Sequence, residues 1–259
     1  MDLDIRDKIA MVAASSQGIG FAIAESLAKE DVIVSICSRN EENIRKALAK
    51  LGPKHRGYVC DLQSSEDIKK WIHSTYSDLG SPSILVTNTG GPATGSVDKT
   101  TIEEWNLGFN SILLSSVRLV DGVCPYMKEN KWGRIVHITS SVAKDPSSIL
   151  PISSVFRAGM SAMCRLQAKS YGEFGITVNC LLPGRTATER SNQIISAKAT
   201  ATGVTFDEEK TRTAKEIPLK RLATPREIGD VAAFLCSERA SFMNGSIVVV
   251  DGGTSRGLG

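Results

Sequence analysis

The stretch Ala13-Ala14-Ser15-Ser16-Gln17-Gly18-Ile19-Gly20 decides how the rest of the chain is interpreted. It ends the short apolar run 9–14 and opens a helical pattern from Gly18 to Glu30. Small residues at a strand-to-helix turn let a ligand approach the backbone, and the first N–H groups of a helix have no partner inside it. Those N–H groups and the positive end of the helix dipole favour an anion. The turn therefore predicts a site for the pyrophosphate of a dinucleotide, although tight turns also use glycine for steric reasons alone.

Strand-like apolar runs alternate with helical patterns from this turn to the end of the chain. The predicted strands are 9–14, 32–37, 57–60, 84–87, 134–139, 177–182 and 246–250. The predicted helices are 18–30, 41–51, 65–76, 102–128, 153–174 and 225–237. This alternation predicts an α/β fold, a doubly wound parallel sheet of the Rossmann type with helices on both faces, in three layers. Because no linker or repeat interrupts the pattern, one domain over residues 1–259 is expected.

The segment 187–212 is the one stretch with a weak pattern. It is polar and rich in Ala and Thr. A long insert of this kind in a single domain is often a substrate lid, and a plain surface excursion explains the composition equally well.

Composition and charge exclude several classes of partner. The chain has 31 Lys and Arg against 28 Asp and Glu, a net charge of +3, which gives no field for nucleic acid or an anionic membrane. The acidic start, Met1 to Asp4, does not resemble a signal peptide, and no apolar run approaches the ~18 residues needed to cross a bilayer. We therefore expect a cytoplasmic protein that binds neither nucleic acid nor a membrane.

The cysteines and histidines show no pattern of metal ligands. The six cysteines form no C-x-x-C pair and several lie within apolar patterns, which favours buried free thiols in a reducing compartment. His137 lies inside a predicted strand and is interpreted as a packed histidine. No metal site is expected.

Several short motifs share a fixed order along the chain. They are Gly18-Ile19-Gly20, Asp61-Leu62, Asn88-Thr89-Gly90, Pro183-Gly184 with Thr188, Pro218-Leu219 with Arg221 and Pro225, and Asp251-Gly252-Gly253. In this order and at these separations they resemble the short-chain dehydrogenase/reductase family, in particular its 3-oxoacyl-carrier-protein reductases and bacterial glucose 1-dehydrogenases. The chain departs from the family at the first turn, where Ala13 and Ala14 replace a Thr and the first Gly.

The resemblance implies a nicotinamide dinucleotide held by the first turn and by the loops that follow the strands. The residues implied are Ser15, Ser16, Gln17, Gly18, Ile19, Gly20, Ser38, Arg39, Asn40, Asp61, Leu62, Asn88, Gly90, Arg157, Pro183, Gly184, Thr186 and Thr188.

The end of the second strand indicates which dinucleotide is preferred. Proteins that use NAD usually carry an acid there to bind the ribose hydroxyls, and Cys37-Ser38-Arg39-Asn40 contains none. Arg39 can pair with a 2′-phosphate, although it can equally be a solvated arginine at a turn. We expect NADP(H) to be favoured over NAD(H).

The catalytic motif of the family is largely missing. Family members use an Asn–Ser–Tyr–Lys tetrad, and alignment of 133–140 without gaps places Ser140 at the Ser position. Ser153 stands where Tyr is expected and Arg157 where Lys is expected. Ile112 falls on the Asn position, with Asn110 two residues away on another helix face.

These replacements change the available chemistry. A tyrosine hydroxyl has a pKa near 10, an aliphatic hydroxyl is a far weaker acid, and arginine stays protonated. Ser140, Ser153 and Arg157 remain the predicted catalytic residues, with Arg157 able to hold ribose hydroxyls or a substrate carboxylate. The alternative is that Ser153 caps the start of a helix and that Arg157 is a surface charge. Lys144 and Asp145 lie nearby and are less well supported replacements for the missing Tyr and Lys.

Two functions follow from the sequence. The first is an NADP-dependent oxidoreductase that acts on the carbonyl or alcohol group of a small 3-oxoacyl or sugar-like molecule, with an atypical proton donor. The second is a nucleotide-binding protein without turnover, such as a sensor or a partner subunit. The cofactor motifs favour the first and the missing Tyr and Lys favour the second. The substrate, the direction of reaction and the proton donor stay open.

The long predicted helices also bear on assembly. Helices 102–128 and 153–174 carry more apolar and small residues than one buried face needs. Related proteins assemble through these helices and the last strand, so the resemblance implies a homotetramer, with a dimer as the second choice.

Overall fold

A parallel sheet of seven strands forms the centre of the computed structural model, which describes residues 2–256. The strands are β1 (Ile9–Val12), β2 (Ile33–Ser38), β3 (Arg56–Val59), β4 (Ile84–Thr87), β5 (Gly133–Ile138), β6 (Ile176–Pro183) and β7 (Ile247–Val250). Their order is β3-β2-β1-β4-β5-β6-β7, and each neighbouring pair is parallel. The order reverses between β1 and β4, and ligands of such sheets bind outside the carboxyl ends of the strands at that point.

Helices cover both faces of the sheet. They are α1 (Gly18–Lys29), α2 (Glu41–Leu51), α3 (Ser65–Leu79), α4 (Ile102–Gly108), α5 (Ser115–Glu129), α6 (Pro151–Tyr171), α7 (Glu189–Thr202), α8 (Phe206–Lys215) and α9 (Pro225–Leu235). One buried cluster joins the sheet to α1, α2 and α9, and a second joins it to α3, α5 and α6. The predicted three-layer, doubly wound α/β architecture is confirmed.

The long predicted helix 102–128 is interrupted by a π-helical turn. Between α4 and α5 lies Phe109–Leu114, which continues the helix with a wider turn. The whole helix, Ile102–Glu129, is long and apolar enough by length and composition to cross a membrane. Polar residues interrupt its apolar stretches, so no continuous apolar run marks this helix in the sequence. Leu119 and Val123 of this helix are fully buried against the sheet, so it is a core helix of this fold.

The weakly patterned segment 187–212 is helical. Thr188 and Thr205 cap α7 and α8, and Glu208 completes a capping box at the second helix. Both helices bury few residues, so their apolar periodicity is weak although the start signals are present.

The cysteines and His137 are parts of the core. All six cysteines are buried and free, as predicted. The ring of His137 contacts Thr87 Oγ1 and Gln167 Oε1, each at 2.8 Å, and its burial lowers the pKa to about 4. Among residues 2–256 no group of His, Cys, Asp or Glu side chains could hold a metal ion.

Candidate active site

A cavity of about 800 Å³ lies at the carboxyl ends of the strands, where the sheet order reverses. It brings together most of the residues that the sequence predicted for the site. Those lining it are Ser16, Gln17, Gly18, Ile19, Gly20, Ser38, Arg39, Asp61, Leu62, Asn88, Gly90, Ser140, Ser153, Arg157, Pro183, Gly184, Thr186 and Thr188.

Two predicted residues, Ser15 and Asn40, support the site from outside the cavity. Ser15 is fully buried, and its hydroxyl donates to the carbonyl oxygen of Val12. The side chain of Asn40 accepts a hydrogen bond from the Asn43 N–H at 2.8 Å and so caps α2. Neither residue lines the cavity, and local backbone groups hold both side chains.

The first turn has the shape that a pyrophosphate needs. A Cβ atom on Gly20 would lie 2.5 Å from the Ala14 carbonyl oxygen, so only glycine allows this close return of the chain. Asn88 holds the turn by donating to the carbonyl oxygens of Ala13 and Ala14 at 3.3 and 3.1 Å. No side chain caps α1 within the described residues, so its first N–H groups are left for a ligand. The turn fits a dinucleotide.

Ala14 adopts a backbone conformation that usually requires glycine. Its φ is +47°, in the left-handed region. Ala14 stands at the position where the family motif has its first Gly. The alanine at this position therefore preserves the turn but strains the backbone locally.

Arg39 and Asp61 lie at the opposite end of the cavity from Ser140 in the order of the strands. Arg39 is exposed and makes no hydrogen bond or ion pair to the described part of the chain, although it lines the cavity. The Asp61 carboxylate accepts from the Gln63 N–H at 3.0 Å, which fixes its orientation. Arg39 is therefore available for an anionic group, and no acid stands beside it in Cys37 to Asn40.

Arg157 is buried and tied to the end of β5. Its Nε donates to Ser153 Oγ at 3.0 Å, and its Nη1 donates to the carbonyl oxygens of Ile138 and Thr139, both at 3.1 Å. The residue is 6% exposed, and burial lowers the pKa of its guanidinium to about 10, so it stays charged at neutral pH. It forms no ion pair with any acid among residues 2–256. The alternative of a surface charge is wrong for Arg157, since the sheet end and Ser153 enclose it.

Ser153 is likewise not a helix cap. It is the third residue of α6, and Leu150 occupies the cap position. Ser140 lies just beyond β5, where its Oγ accepts from the Val142 N–H at 3.4 Å. The structure thus brings all three predicted catalytic residues to one wall of the cavity.

The position of the family's Asn is taken by a buried apolar residue. Ile112 is fully buried and packs with Ile152 and Met160. Asn110 donates to the Asn106 carbonyl oxygen at 3.0 Å, and neither Asn110 nor Ile112 lines the cavity. Ser111 does line it, because the π-helical turn changes which face of the helix points at the site.

Apart from Asp145, the sequence motifs do not predict the side chains that close the cavity. Arg190, Ile194 and Lys198 line it from α7, and Arg190 Nη2 donates to the Pro92 carbonyl oxygen at 2.6 Å. From the loop before α6 come Asp145, Ser147, Ile149 and Leu150, whereas Lys144 stays outside. Their only sequence signal was the Thr188 cap, which would have placed Arg190 and Lys198 on one helix.

Comparison with known proteins agrees with this geometry. The family model described as enoyl-(acyl carrier protein) reductase matches residues 13–255. The human dehydrogenase/reductase SDR family member 4 is 31% identical over 255 residues, covering 96% of this chain and 88% of that protein. The NADPH-dependent reductase BacG of Bacillus subtilis is 29% identical over 259 residues, covering 97% and 99%.

A solved structure is similar over the whole chain. L-Sorbose reductase from Gluconobacter frateurii, crystallised with NADPH and L-sorbose, superimposes with a TM-score of 0.94 at 31% identity and 100% coverage of both chains. The chain belongs to the short-chain dehydrogenase/reductase family, and the resemblance in its motifs is confirmed.

Proposed function

We propose that this protein is an NADPH-dependent reductase that transfers hydride to the carbonyl group of a small 3-oxoacyl or sugar-like molecule. The observation that carries the proposal is one continuous cavity that contains the glycine turn, Arg39 and Ser140. The similar proteins support the cofactor, since BacG is named an NADPH-dependent reductase and the sorbose reductase was crystallised with NADPH.

The chain's own residues would bind and orient the two reactants. The N–H groups of α1 would hold the pyrophosphate, and Arg39 would pair with the 2′-phosphate. The cofactor supplies the hydride when bound. Ser140 would donate a hydrogen bond to the substrate carbonyl, and no tyrosine lies along the cavity wall that the structure describes, so the proton comes from a different source.

The same proposal includes the location of the protein, its lid and its assembly. Six buried free thiols suit the reducing cytoplasm. The segment 187–212 would act as a lid, because Arg190, Ile194 and Lys198 of α7 line the cavity. The chain would work as a homotetramer, with a dimer as the second choice.

The second candidate is a nucleotide-binding protein without turnover. It is favoured by one observation, the replacement of the family's Tyr and Lys by Ser153 and Arg157 at the reacting end of the cavity.

Cofactor titration and turnover separate the two candidates. Calorimetry should show tighter binding of NADPH than of NADH, and equal affinity would contradict the cofactor proposal.

Turnover of ketone, 3-oxoacyl and sugar substrates should be slow, because a positioned general acid contributes about 10²–10⁴-fold and none is present at the Tyr position. Ser140→Ala should lower the remaining rate, and the double variant Ser153→Tyr/Arg157→Lys should raise it. A wild-type rate near the common ~10 s⁻¹ would show that another residue supplies the proton. A double variant that binds NADPH and stays inert would favour the second candidate.

A further inference from the structure

We infer that Ser140 and Ser153 form a two-hydroxyl site for the negative charge that develops on the substrate oxygen, and that Arg157 is the positioning residue that directs the Ser153 hydroxyl into the cavity. The inference rests on the proposed carbonyl reduction and assigns the groups that stabilise its transition state.

Ser153 differs from the other serines of its helix. Ser154, Ser161 and Ser170 each donate their hydroxyl hydrogen to the carbonyl oxygen four residues earlier. For Ser153 that carbonyl belongs to Ile149, which already accepts the Gly95 N–H at 3.1 Å. Within residues 2–256 the Ser153 hydroxyl donates to no acceptor, so its hydrogen remains available to a ligand.

Arg157 determines which part of the Ser153 hydroxyl is free. Its Nε occupies an acceptor site on Oγ at 3.0 Å, so the O–H bond can only point elsewhere. The two carbonyl oxygens bound by Nη1 fix the plane of the guanidinium and with it the direction of Nε. A charged donor on Oγ also polarises the O–H bond and makes it a stronger donor. A lysine ammonium, a single point of charge, lacks this planar fork.

Ser140 has a similar hydrogen-bonding arrangement. Its Oγ accepts the Val142 N–H at 3.4 Å, and its hydroxyl hydrogen finds no acceptor in the described chain. Both serines line the same cavity, and in each the oxygen accepts a hydrogen bond while the hydroxyl hydrogen has no acceptor in the described chain.

The proposed step uses the hydride of the cofactor, the two serine hydroxyls and water. The dinucleotide, when bound, would supply the hydride and be left oxidised. As the hydride bonds to the carbonyl carbon, the C=O π pair would move onto oxygen, and the resulting alkoxide would accept hydrogen bonds from Ser140 and Ser153. Water entering the cavity then protonates the alkoxide and leaves as hydroxide. Fixed donors aimed at a developing oxyanion contribute about 10²–10³-fold each in other enzymes.

The kinetic test uses purified full-length variants with NADPH and the best carbonyl substrate found in the turnover screen. Ser153→Ala should lower kcat about 10²-fold while the affinity for NADPH changes less than twofold. Arg157→Lys should lower kcat to a similar extent although it keeps the charge. Ser170→Ala, an exposed serine of α6 whose hydroxyl donates to the Leu166 carbonyl oxygen, is the matched control and should keep the wild-type rate. An unchanged kcat in Ser153→Ala would overturn the inference.

Chemical rescue separates positioning by Arg157 from a general structural role. Guanidinium chloride at millimolar concentration should restore part of the rate of Arg157→Ala, and sodium chloride should not. The same addition should restore nothing in the variant that also carries Ser153→Ala. Rescue that persists without Ser153 would show that Arg157 acts elsewhere.

A measurement without turnover keeps the Arg157–Ser153 contact testable if the proposed reductase activity is absent. The thiol introduced by Ser153→Cys should ionise with a pKa about one unit or more below the ordinary 8.5, because of the adjacent cation. The rate of alkylation by iodoacetamide against pH reports this value, since the six native thiols are buried. Adding Arg157→Gln should bring the pKa back up. Equal pKa values with and without Arg157 would overturn the positioning role, whereas absent turnover with a lowered thiol pKa would overturn the proposed function alone.

Discussion

At the scale of single residues, Arg39 determines the predicted choice between the two dinucleotides. It lines the cavity, is exposed, and has no partner in the described structure. Arg39→Ala should therefore weaken NADPH roughly ten- to hundredfold, the range for a hydrogen bond to a charged group, and leave NADH unchanged. Calorimetric titration measures both. Arg45→Ala, an exposed arginine on α2 paired with Glu42, is the control and should change neither. An equal loss for both cofactors would mean that Arg39 does not contact the 2′-phosphate.

A second residue, Ala14, stores strain in the nucleotide turn. An alanine at φ +47° costs about 1–2 kcal/mol relative to an ordinary backbone, and glycine does not pay this penalty. Ala14→Gly should raise the free energy of unfolding by about 1 kcal/mol, measured by urea denaturation. Ala197→Gly, on the exposed face of α7, should lower it by about 1 kcal/mol. If both variants lose stability, the turn is not strained at Ala14.

At the scale of secondary-structure elements, the closest approach of α1 and α9 depends on Gly229. A Cβ atom there would lie 2.6 Å from the Ala22 carbonyl oxygen and 2.7 Å from Ser26 Oγ. Alanine normally favours a helix by about 1 kcal/mol over glycine, but the clash should dominate and Gly229→Ala should destabilise the protein by about 1–3 kcal/mol. Ser196→Ala, exposed on α7, tests the propensity effect alone and should not destabilise. Thermal unfolding of the two variants decides the point, and a more stable Gly229→Ala would show that the helices can separate.

The sequence predicts some secondary-structure elements and site residues better than others. Alternating strands and helices, and the motifs at their junctions, sufficed for the fold and for the cofactor wall of the cavity, because both depend on local periodicity and tight turns. The π-helical turn at Phe109–Leu114 has no periodic signature, so alignment without gaps places Ile112 at a site position, whereas Ser111 is the residue that lines the cavity. The motif position of Arg157 predicts a role at the site, but its bonds to the end of β5 depend on tertiary contacts between distant segments.

At the scale of the whole molecule, two helices leave apolar side chains in water. Ile102 and Leu107 of α4 are 70% and 57% exposed, and Val155 and Leu166 of α6 are 54% and 66% exposed. Burying these faces between copies of the chain would stabilise a homotetramer. Light scattering at micromolar concentration should give the mass of four chains, or of two as the second choice. Leu166→Lys should shift the mass to smaller species, and Val59→Lys, an exposed residue of the edge strand β3, should not. A monomeric wild type would refute the assembly.

The hydrogen bond from Arg190 to the Pro92 carbonyl oxygen joins the two sides of the cavity mouth. Arg190 belongs to α7, and Pro92 to the loop that follows β4, so the bond ties these two segments together. A dinucleotide lying along the strand ends would enter and leave past this contact. We therefore expect Arg190→Ala to shorten the dwell time of the bound dinucleotide, measured as its dissociation rate.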